Sequence, residues 1–272
     1  MTAERADRLT VALWVYLGLV GVYMLAPLAL VIADSVNTST YGTFPFPGVT
    51  LRWYVNALFQ VPEFRSGMTN SLLVAVGATA LALVLGTPAA YGLTRYRFPV
   101  RGLTQSLLLL PLIVPAIVFG AALFLLYIRV GLYGTRTGLI LGHALLGLPF
   151  VVSIVAASLQ TLGREYEEAA MDLGANPLRT FFAVTIPSIR PGLTVAALFA
   201  FVTSFDQVEV SLFLTRPRNN TLPIAMLNYE ENYQDPTLAA ISTVLIGFTV
   251  VLVLVAVSLL KTQEYRRLIE RG

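Results

Sequence analysis

The apolar positions of the chain form six long runs separated by shorter polar segments. The runs lie near residues 11–33, 72–93, 103–128, 138–159, 193–214 and 238–260. Each is long enough to cross a hydrocarbon core of about 30 Å, which takes roughly 20 helical residues. Because lipid offers no hydrogen-bonding partner to bare backbone groups, the runs should be helices. The pattern therefore predicts an all-α integral membrane protein with six transmembrane helices, in which residues 1–272 form a single transmembrane domain.

Composition and charge favour the same class. Of the 272 residues 56% are hydrophobic and only 12% are charged, which is too little charge to cover the surface of a soluble domain. The net charge is +3 and the basic residues are thinly spread, so a nucleic-acid partner has no support. The chain has no cysteine, which excludes disulfides, thiolate metal sites and a cysteine nucleophile.

The orientation in the membrane is predicted from the basic residues of the loops. If the N-terminus is cytoplasmic, the inner segments hold twelve Lys and Arg residues and the outer loops hold six. This bias predicts that both termini are cytoplasmic. The first run could instead be a signal peptide, but its apolar stretch is long and its leader has no net charge, which favours an uncleaved span.

The cytoplasmic loop at residues 160–192 has the most distinctive local pattern. Three acidic residues open a short helix, where the helix dipole favours negative charge. Gly174 suits the end of that helix, because glycine adopts the left-handed conformation without strain. Asn176 suits an N-cap and Pro177 the first position of a second helix, which Pro187 and Pro191-Gly192 would end before the fifth run. The spacing predicts two short helices joined by a turn, and a plain amphipathic connector on the membrane surface remains an alternative.

The same loop resembles the EAA signature of the inner-membrane permeases of binding-protein-dependent ABC importers. The family pattern is E-A-A, three residues, G, nine residues and I-x-L-P. The matching residues here are Glu168, Ala169, Ala170, Gly174, Val184, Ile186 and Pro187. The spacing agrees throughout, with Val184 and Ile186 as conservative departures. The resemblance implies the type I ABC importer permease fold with a cytoplasmic coupling helix.

Further segments resemble one branch of that family, the second permease subunit of spermidine/putrescine-type transporters. They include Asn70-Ser71, Arg95 and Ser204-Phe205-Asp206, and a stretch from Thr221 to Ser242. The resemblance implies a small, cationic, polyamine-like solute. Gln207 departs from the branch, which usually has two adjacent acids at this point, so an amino-acid-like solute, iron or a phosphonate stays an alternative.

The resemblance also implies the partners and the residues that contact them. We expect two ATPase subunits, a second homologous permease and an extracytoplasmic solute-binding protein, all at the bacterial plasma membrane. The chain contains no G-x-x-x-x-G-K-[ST] run, so we expect no catalysis and no cofactor in it, with ATP and Mg bound by the ATPase. The residues expected to couple to the ATPase are Glu168, Ala169, Ala170, Asp172, Gly174, Asn176, Pro177 and Pro187.

Asp206 and Glu209 are the only carboxylates inside any of the six runs. At positions i and i+3 of one helix they would share a face. A charge near the middle of a membrane span costs at least about 2.5–3.5 kcal/mol, so it usually faces protein or a water-filled path. We therefore predict that Asp206 and Glu209, with Ser204, line the solute pathway. The alternative is a structural role, in which neighbouring hydroxyl groups bind the two carboxylates.

Two other polar features have less specific interpretations. His143 is the only histidine, and we expect it to form hydrogen bonds within the helix bundle and not to bind a metal, since no second ligand lies nearby in the sequence. Glu230, Glu231 and Asp235 form an acidic outer loop, which is either simply solvated or a docking contact for a binding protein.

Two other functional classes would need features that the sequence lacks. A stand-alone secondary transporter would need coupling charges in several spans, and a membrane-embedded enzyme would need a cluster of His, Asp or Glu. Copurification of an ATPase with this chain would separate an importer permease from both.

Overall fold

The computed structural model describes residues 2–40 and 47–269, with side chains described in 10–40 and 47–260. In these ranges the regular structure is helical, and the one β-type pairing is a single antiparallel bridge between Asn37 and Val49. The predicted all-α class is confirmed.

The described residues form thirteen α-helices. They are α1 (Thr2–Asp34), α2 (Arg52–Val55), α3 (Pro62–Arg95), α4 (Arg101–Ile113), α5 (Ala116–Val130), α6 (Arg136–Leu162), α7 (Glu165–Asp172), α8 (Pro177–Thr180), α9 (Ile186–Ser188), α10 (Arg190–Phe205), α11 (Glu209–Leu214), α12 (Leu222–Asn232) and α13 (Thr237–Ile269). Two π-helical turns, Asn56–Gln60 and Phe181–Thr185, continue α2 and α8.

Four of these helices are long and apolar enough to cross a membrane on their own. The four apolar stretches are Thr10–Asp34, Pro62–Arg95, Arg136–Leu162 and Thr237–Leu260. Two further pairs reach that length only together, α4 with α5, bent by 106°, and Pro177–Ser188 with α10, bent by 75°. The number of spans in the described residues is therefore four, or six if each bent pair is one span.

The third apolar run, 103–128, is not the single helix that its hydrophobicity predicts. α4 ends at Ile113, Val114 is extended (ψ 129°), and α5 begins after Pro115. Proline has no N–H group to donate and forces the preceding residue toward an extended conformation. The prediction of a continuous helix is wrong here, because Pro115 ends the hydrogen-bonding pattern of α4.

The fifth run, 193–214, is also interrupted. α10 ends at Phe205 and α11 begins at Glu209, so residues 206–208 are not helical. Asp206 follows α10 with φ −93° and ψ 9°. A short polar side chain such as that of Asp206 competes with the backbone for hydrogen bonds, which makes this position a weak point in an apolar helix. The prediction of one continuous helix across 193–214 is wrong.

The contacts between Cα atoms divide the chain into two compact units. One contains the chain up to Pro62 together with Asn228–Val250. Within it, the Trp53 indole N–H donates to the Asn37 carbonyl oxygen at 2.7 Å, and the Asn56 amide donates to the Thr237 hydroxyl at 2.8 Å. These bonds tie the short helix α2 and its π-helical turn to both parts of this unit.

The other unit contains Glu63–Leu227 and the chain from Val251 onward. Helix α6 is its central element, with apolar side chains packed against α3 and α10 near Leu159 and against α11 near Leu139. Small residues allow these helices to approach closely: a Cβ on Gly147 of α6 would lie 3.3 Å from the Cβ of Ala200 in α10. Residues 160–192 and 204–211, which include all the predicted coupling and pathway residues, belong to this unit.

Candidate coupling segment and solute pathway

The segment from Glu165 to Ser188 has the helix–turn–helix form that its sequence predicts. α7 ends at Asp172 and Gly174 has φ +90°, a conformation that favours glycine. The Asn176 side-chain oxygen accepts a hydrogen bond from the Arg179 N–H at 2.8 Å, so Asn176 is the N-cap of α8. Pro177 occupies the first turn of that helix, as predicted. We call residues Glu165–Ser188 the coupling segment.

Pro187 does not end the second helix at its own position. The chain passes from α8 through the π-helical turn Phe181–Thr185 into α9, which ends at Ser188. A proline inside an α-helix removes one hydrogen bond and clashes with the preceding turn. A π-helical turn widens the backbone just before such a point, and insertions of this kind bend helices. The helix therefore continues past Pro187 and turns by 75° into α10.

The residues predicted to contact an ATPase lie mostly on the exposed side of the coupling segment. Exposed residues are Glu168, Ala169, Asp172, Gly174, Asn176 and Pro177, whereas Ala170 and Pro187 are partly buried. Two large apolar side chains, Leu173 and Leu178, are exposed beside them, at 90% and 72%. Sequence reasoning missed both, although an apolar residue on each side of a glycine turn is visible in the sequence. A contiguous exposed apolar patch commonly marks a contact surface, and two leucines this exposed could contribute to one.

Glu167, the neighbour of the exposed Glu168, is buried and fixes the coupling segment to α3. Its carboxylate lies 2.9 Å from Nε of Arg95, the last residue of α3, and accepts a hydrogen bond from the Thr185 hydroxyl at 2.9 Å. Arg95 also donates to the Gly163 carbonyl oxygen at 2.7 Å. This ion pair holds α7, the π-helical turn and the end of α3 together. No local pattern predicts it, because 72 residues separate Arg95 from Glu167.

Asp206 and Glu209 are both exposed, and they flank the break between α10 and α11. The prediction that they share one helix face is wrong, since each belongs to a different helix end. The buried Gln207 lies between them and donates from its amide to Glu209 Oε2 at 2.9 Å. We call residues Asp206–Glu209 the acidic break. The structure thus brings both predicted carboxylates to one surface.

Ser204, the third residue predicted for the pathway, is only 3% exposed. Its hydroxyl lies 2.9 Å from Nδ1 of His143, and Nε2 of the same ring lies 3.0 Å from the hydroxyl of Ser211. Hydrogen bonding of His143 within the helix bundle is confirmed. Two of the hydroxyl groups that could have bound the carboxylates therefore contact the imidazole.

The prediction of an acidic loop is wrong for Glu230 and Glu231, which lie in α12, whereas Asp235 lies between α12 and α13. The Tyr229 hydroxyl donates to Asp235 Oδ2 at 3.1 Å, and the Thr237 N–H donates to Asp235 Oδ1 at 2.9 Å. The Asp235 carboxylate therefore binds the backbone of the first residue of α13. Burial and the nearby Asp235 carboxylate raise the pKa of Tyr229 above its ordinary value, burial being the larger cause. Glu230 and Glu231 are exposed.

Comparison with known proteins identifies the family. Residues 82–266 match the family model described as "Binding-protein-dependent transport system inner membrane component". The chain belongs to this family of permeases. The matched range includes the coupling segment, Arg95, His143 and the acidic break of this permease.

Relatives with known roles resemble this permease over most of its length. The putrescine transport system permease protein PotI of Escherichia coli (strain K12) is 31% identical over 253 residues, covering 90% of this chain and 89% of that protein. The spermidine/putrescine transport system permease protein PotC of the same strain is 28% identical over 232 residues, covering 85% and 87%. The predicted resemblance to the polyamine branch is confirmed.

Solved structures show the same fold. A chain of a bacterial ABC transporter involved in the import of the polysaccharide alginate has a TM-score of 0.70 at 18% identity, covering 95% of this permease and 97% of that chain. The inward-facing MetNI methionine ABC transporter gives a TM-score of 0.64 at 17% identity, covering 75% and 97%. The predicted ABC importer permease fold is confirmed.

Proposed function

We propose that this permease forms half of the translocation path of an ATP-driven importer of small polyamine-like cations. The observation that carries the proposal is the acidic break, which presents two carboxylates on the surface of an otherwise uncharged span. PotI and PotC, which are named for putrescine and spermidine/putrescine transport, resemble the chain over most of its length, and this supports the assignment. Fold similarity to alginate and methionine transporters does not favour either of those solutes.

The acidic break suits a cation for two physical reasons. Asp206 and Glu209 are exposed on this chain and would supply negative charge to the path. The last carbonyl groups of α10 point toward the same break, and the C-terminal end of a helix carries partial negative charge. We place Asp206 and Glu209 in the path, with Ser204 behind them as a support, which differs from the lining role expected for Ser204.

The coupling segment is proposed to seat on a cytoplasmic ATPase. Glu168 would make a polar contact with the ATPase, and Leu173 and Leu178 would enter an apolar groove on it. The buried ion pair of Arg95 and Glu167 would transmit movement of the coupling segment to α3. In this arrangement the chain is a non-catalytic subunit, and ATP and Mg are bound by two ATPase subunits. A second homologous permease completes the path, an extracytoplasmic protein delivers the solute, and both termini lie in the cytoplasm of a bacterium.

The test is ATP-dependent uptake of radiolabelled putrescine by proteoliposomes that contain the assembled transporter and its binding protein. We expect uptake that excess unlabelled putrescine suppresses and excess methionine does not. Replacing Asp206→Asn removes charge while keeping shape, and we expect uptake to fall by about tenfold, the effect of losing roughly 1.4 kcal/mol. Glu63→Gln, at an exposed carboxylate of α3 outside the break, is the matched control and should transport normally.

Assembly and basal ATPase activity are measured on the same preparations. Both should stay near wild type in the Asp206→Asn transporter, because the carboxylate is exposed and holds no helix in place. Transport of a neutral or anionic solute in preference to every amine tested would contradict the proposed substrate class.

A further inference from the structure

The imidazole of His143 lies beneath the acidic break, on the buried side of the two helices that the break separates. His143 belongs to α6 and is completely buried. Ser204 is in the last turn of α10 and Ser211 in the first turn of α11, so the two contacts of the ring fall on opposite sides of residues 206–208. The imidazole ring therefore bridges the end of α10 and the start of α11. The backbone joins the same two helix ends through the three non-helical residues 206–208.

The contacts fix which nitrogen carries the proton. Nδ1 lies 3.1 Å from the backbone carbonyl oxygen of Ser204, which can only accept a hydrogen bond. Nδ1 is therefore the protonated nitrogen of the neutral ring, and Nε2 accepts from the hydroxyl of Ser211. The Ser204 carbonyl belongs to the last turn of a helix, where carbonyl groups lack a donor in the same helix. His143 thus satisfies a group that the break itself leaves without a partner.

Helix α11, which follows the acidic break, packs closely against α5 and α6. A Cβ on Gly120 of α5 would lie 3.0 Å from Val210 Cα and 3.2 Å from the Glu209 carbonyl oxygen. A Cβ on Gly142, the residue before His143, would lie 2.8 Å from the Leu214 side chain. α11 is therefore confined from two sides while its first turn is bound to His143. These constraints fix where Glu209 sits relative to Asp206.

We infer that His143 is a positioning residue of the solute path: it links α10 to α11 so that Asp206 and Glu209 are held at a fixed separation for a cationic solute. The inference rests on the proposed function of the acidic break. His143 itself is too deeply buried to touch solute, so its effect must pass through the two carboxylates.

The measured quantity is the number of putrescine molecules taken up per ATP hydrolysed by the reconstituted transporter. A loss of fold lowers uptake and ATPase activity together, whereas a displaced carboxylate lowers their ratio. In the His143→Asn variant the shorter side chain should keep a contact with Ser204 but lose the one with Ser211. The Ser211→Ala variant removes that same second contact by deleting the Ser211 hydroxyl. Each should lower the ratio by about fivefold, the size expected for one lost hydrogen bond.

Controls and combinations separate positioning from general damage. Ser158→Ala on the same helix removes a hydroxyl that donates to the Ile154 carbonyl oxygen one turn earlier in α6, and should leave the ratio unchanged. The pair His143→Asn with Ser211→Ala should be no worse than either alone, because both remove the same contact. Ser211→Ala also gives an answer if the histidine variant fails to assemble.

The decisive combination adds Asp206→Asn. If His143 acts through the carboxylates, His143→Asn should have little further effect once the charge of Asp206 is gone. Two independent decreases that multiply would overturn the inference while leaving the proposed path intact. A ratio that Asp206→Asn alone does not change would refute the proposed path itself, and the inference with it.

Discussion

Glu167 and Glu168 are adjacent residues of α7, yet their surroundings differ completely. Glu167 is buried in an ion pair with Arg95, whereas Glu168 is exposed. One carboxylate therefore holds the coupling segment in place and the other is free to meet a partner. The two roles can be separated by the same chemical change made one residue apart.

Glu167→Gln should destabilise the permease, because it leaves the Arg95 charge buried without a counter-charge, at a cost of about 3 kcal/mol. The melting temperature of the detergent-solubilised protein should fall. Glu168→Gln should leave that temperature unchanged and weaken ATPase attachment in a pull-down. Replacing both Arg95 and Glu167 by Met should recover part of the stability, and equal melting temperatures of Glu167→Gln and Glu168→Gln would contradict this assignment.

Gly174 offers a second test at this scale. Its φ of +90° disfavours any side chain, although a Cβ there would meet no atom within 4 Å. Gly174→Ala should therefore cost about 1 kcal/mol through backbone strain alone, which corresponds to roughly fivefold weaker ATPase binding if the turn must keep its shape. Gly92→Ala, in open space within α3, is the control and should bind normally. A titration that compares ATPase binding by the Gly174→Ala and Gly92→Ala variants tests this prediction.

At the scale of helices, the contact between α5 and α11 depends on the absence of a side chain at Gly120. Its neighbours across the contact are a side-chain atom of Phe213 and backbone atoms of Glu209 and Val210, and the backbone atoms cannot move aside as a flexible side chain would. The helix that carries Glu209 is therefore held at a distance set by van der Waals contact with α5.

Gly120→Ala should push α5 and α11 apart and destabilise the permease by about 1–3 kcal/mol, the usual cost of overpacking. Because Glu209 moves with α11, putrescine taken up per ATP should fall as well. Gly102→Ala in α4, where a Cβ would meet nothing within 4 Å, provides the comparison and should change neither quantity. A Gly120→Ala transporter with normal stability and normal uptake would show that the contact can relax.

The elements differ in how well the sequence predicts them. The coupling segment is predicted closely, because Gly174, Asn176 and Pro177 act on their own backbone and need no distant partner. The breaks after Ile113 and Phe205 are missed, because hydrophobicity alone cannot distinguish a continuous apolar helix from two shorter ones. The ion pair of Arg95 and Glu167 is missed for another reason: residues distant in the chain meet only after the helices have packed.

At the scale of the whole molecule, the number of spans determines on which sides of the membrane the two termini lie. The described residues form four spans, or six if each bent pair is one span, and either even number returns the chain to the side where it began. The predicted cytoplasmic location of both termini then follows from the basic residues of the loops.

Single cysteines test this threading directly, since the native chain has none. Cysteines at the exposed positions Thr40 and Arg218 should react with a membrane-impermeant maleimide in intact cells. A cysteine at the exposed Arg97, between α3 and α4, should react only after the membrane is permeabilised. The cysteine-free parent gives the background, and labelling of Arg97→Cys in intact cells would require the opposite orientation.

The exposure of helix α1 determines which substitutions the protein can tolerate there. No residue of the apolar stretch Thr10–Asp34 is buried within this chain. A helix surrounded only by lipid should accept any apolar exchange equally well around its circumference. A helix that packs against another subunit should instead resist change at every third or fourth position, because such residues share one face. Saturation mutagenesis of α1 would therefore reveal, from periodicity alone, whether lipid or protein covers it in the working transporter.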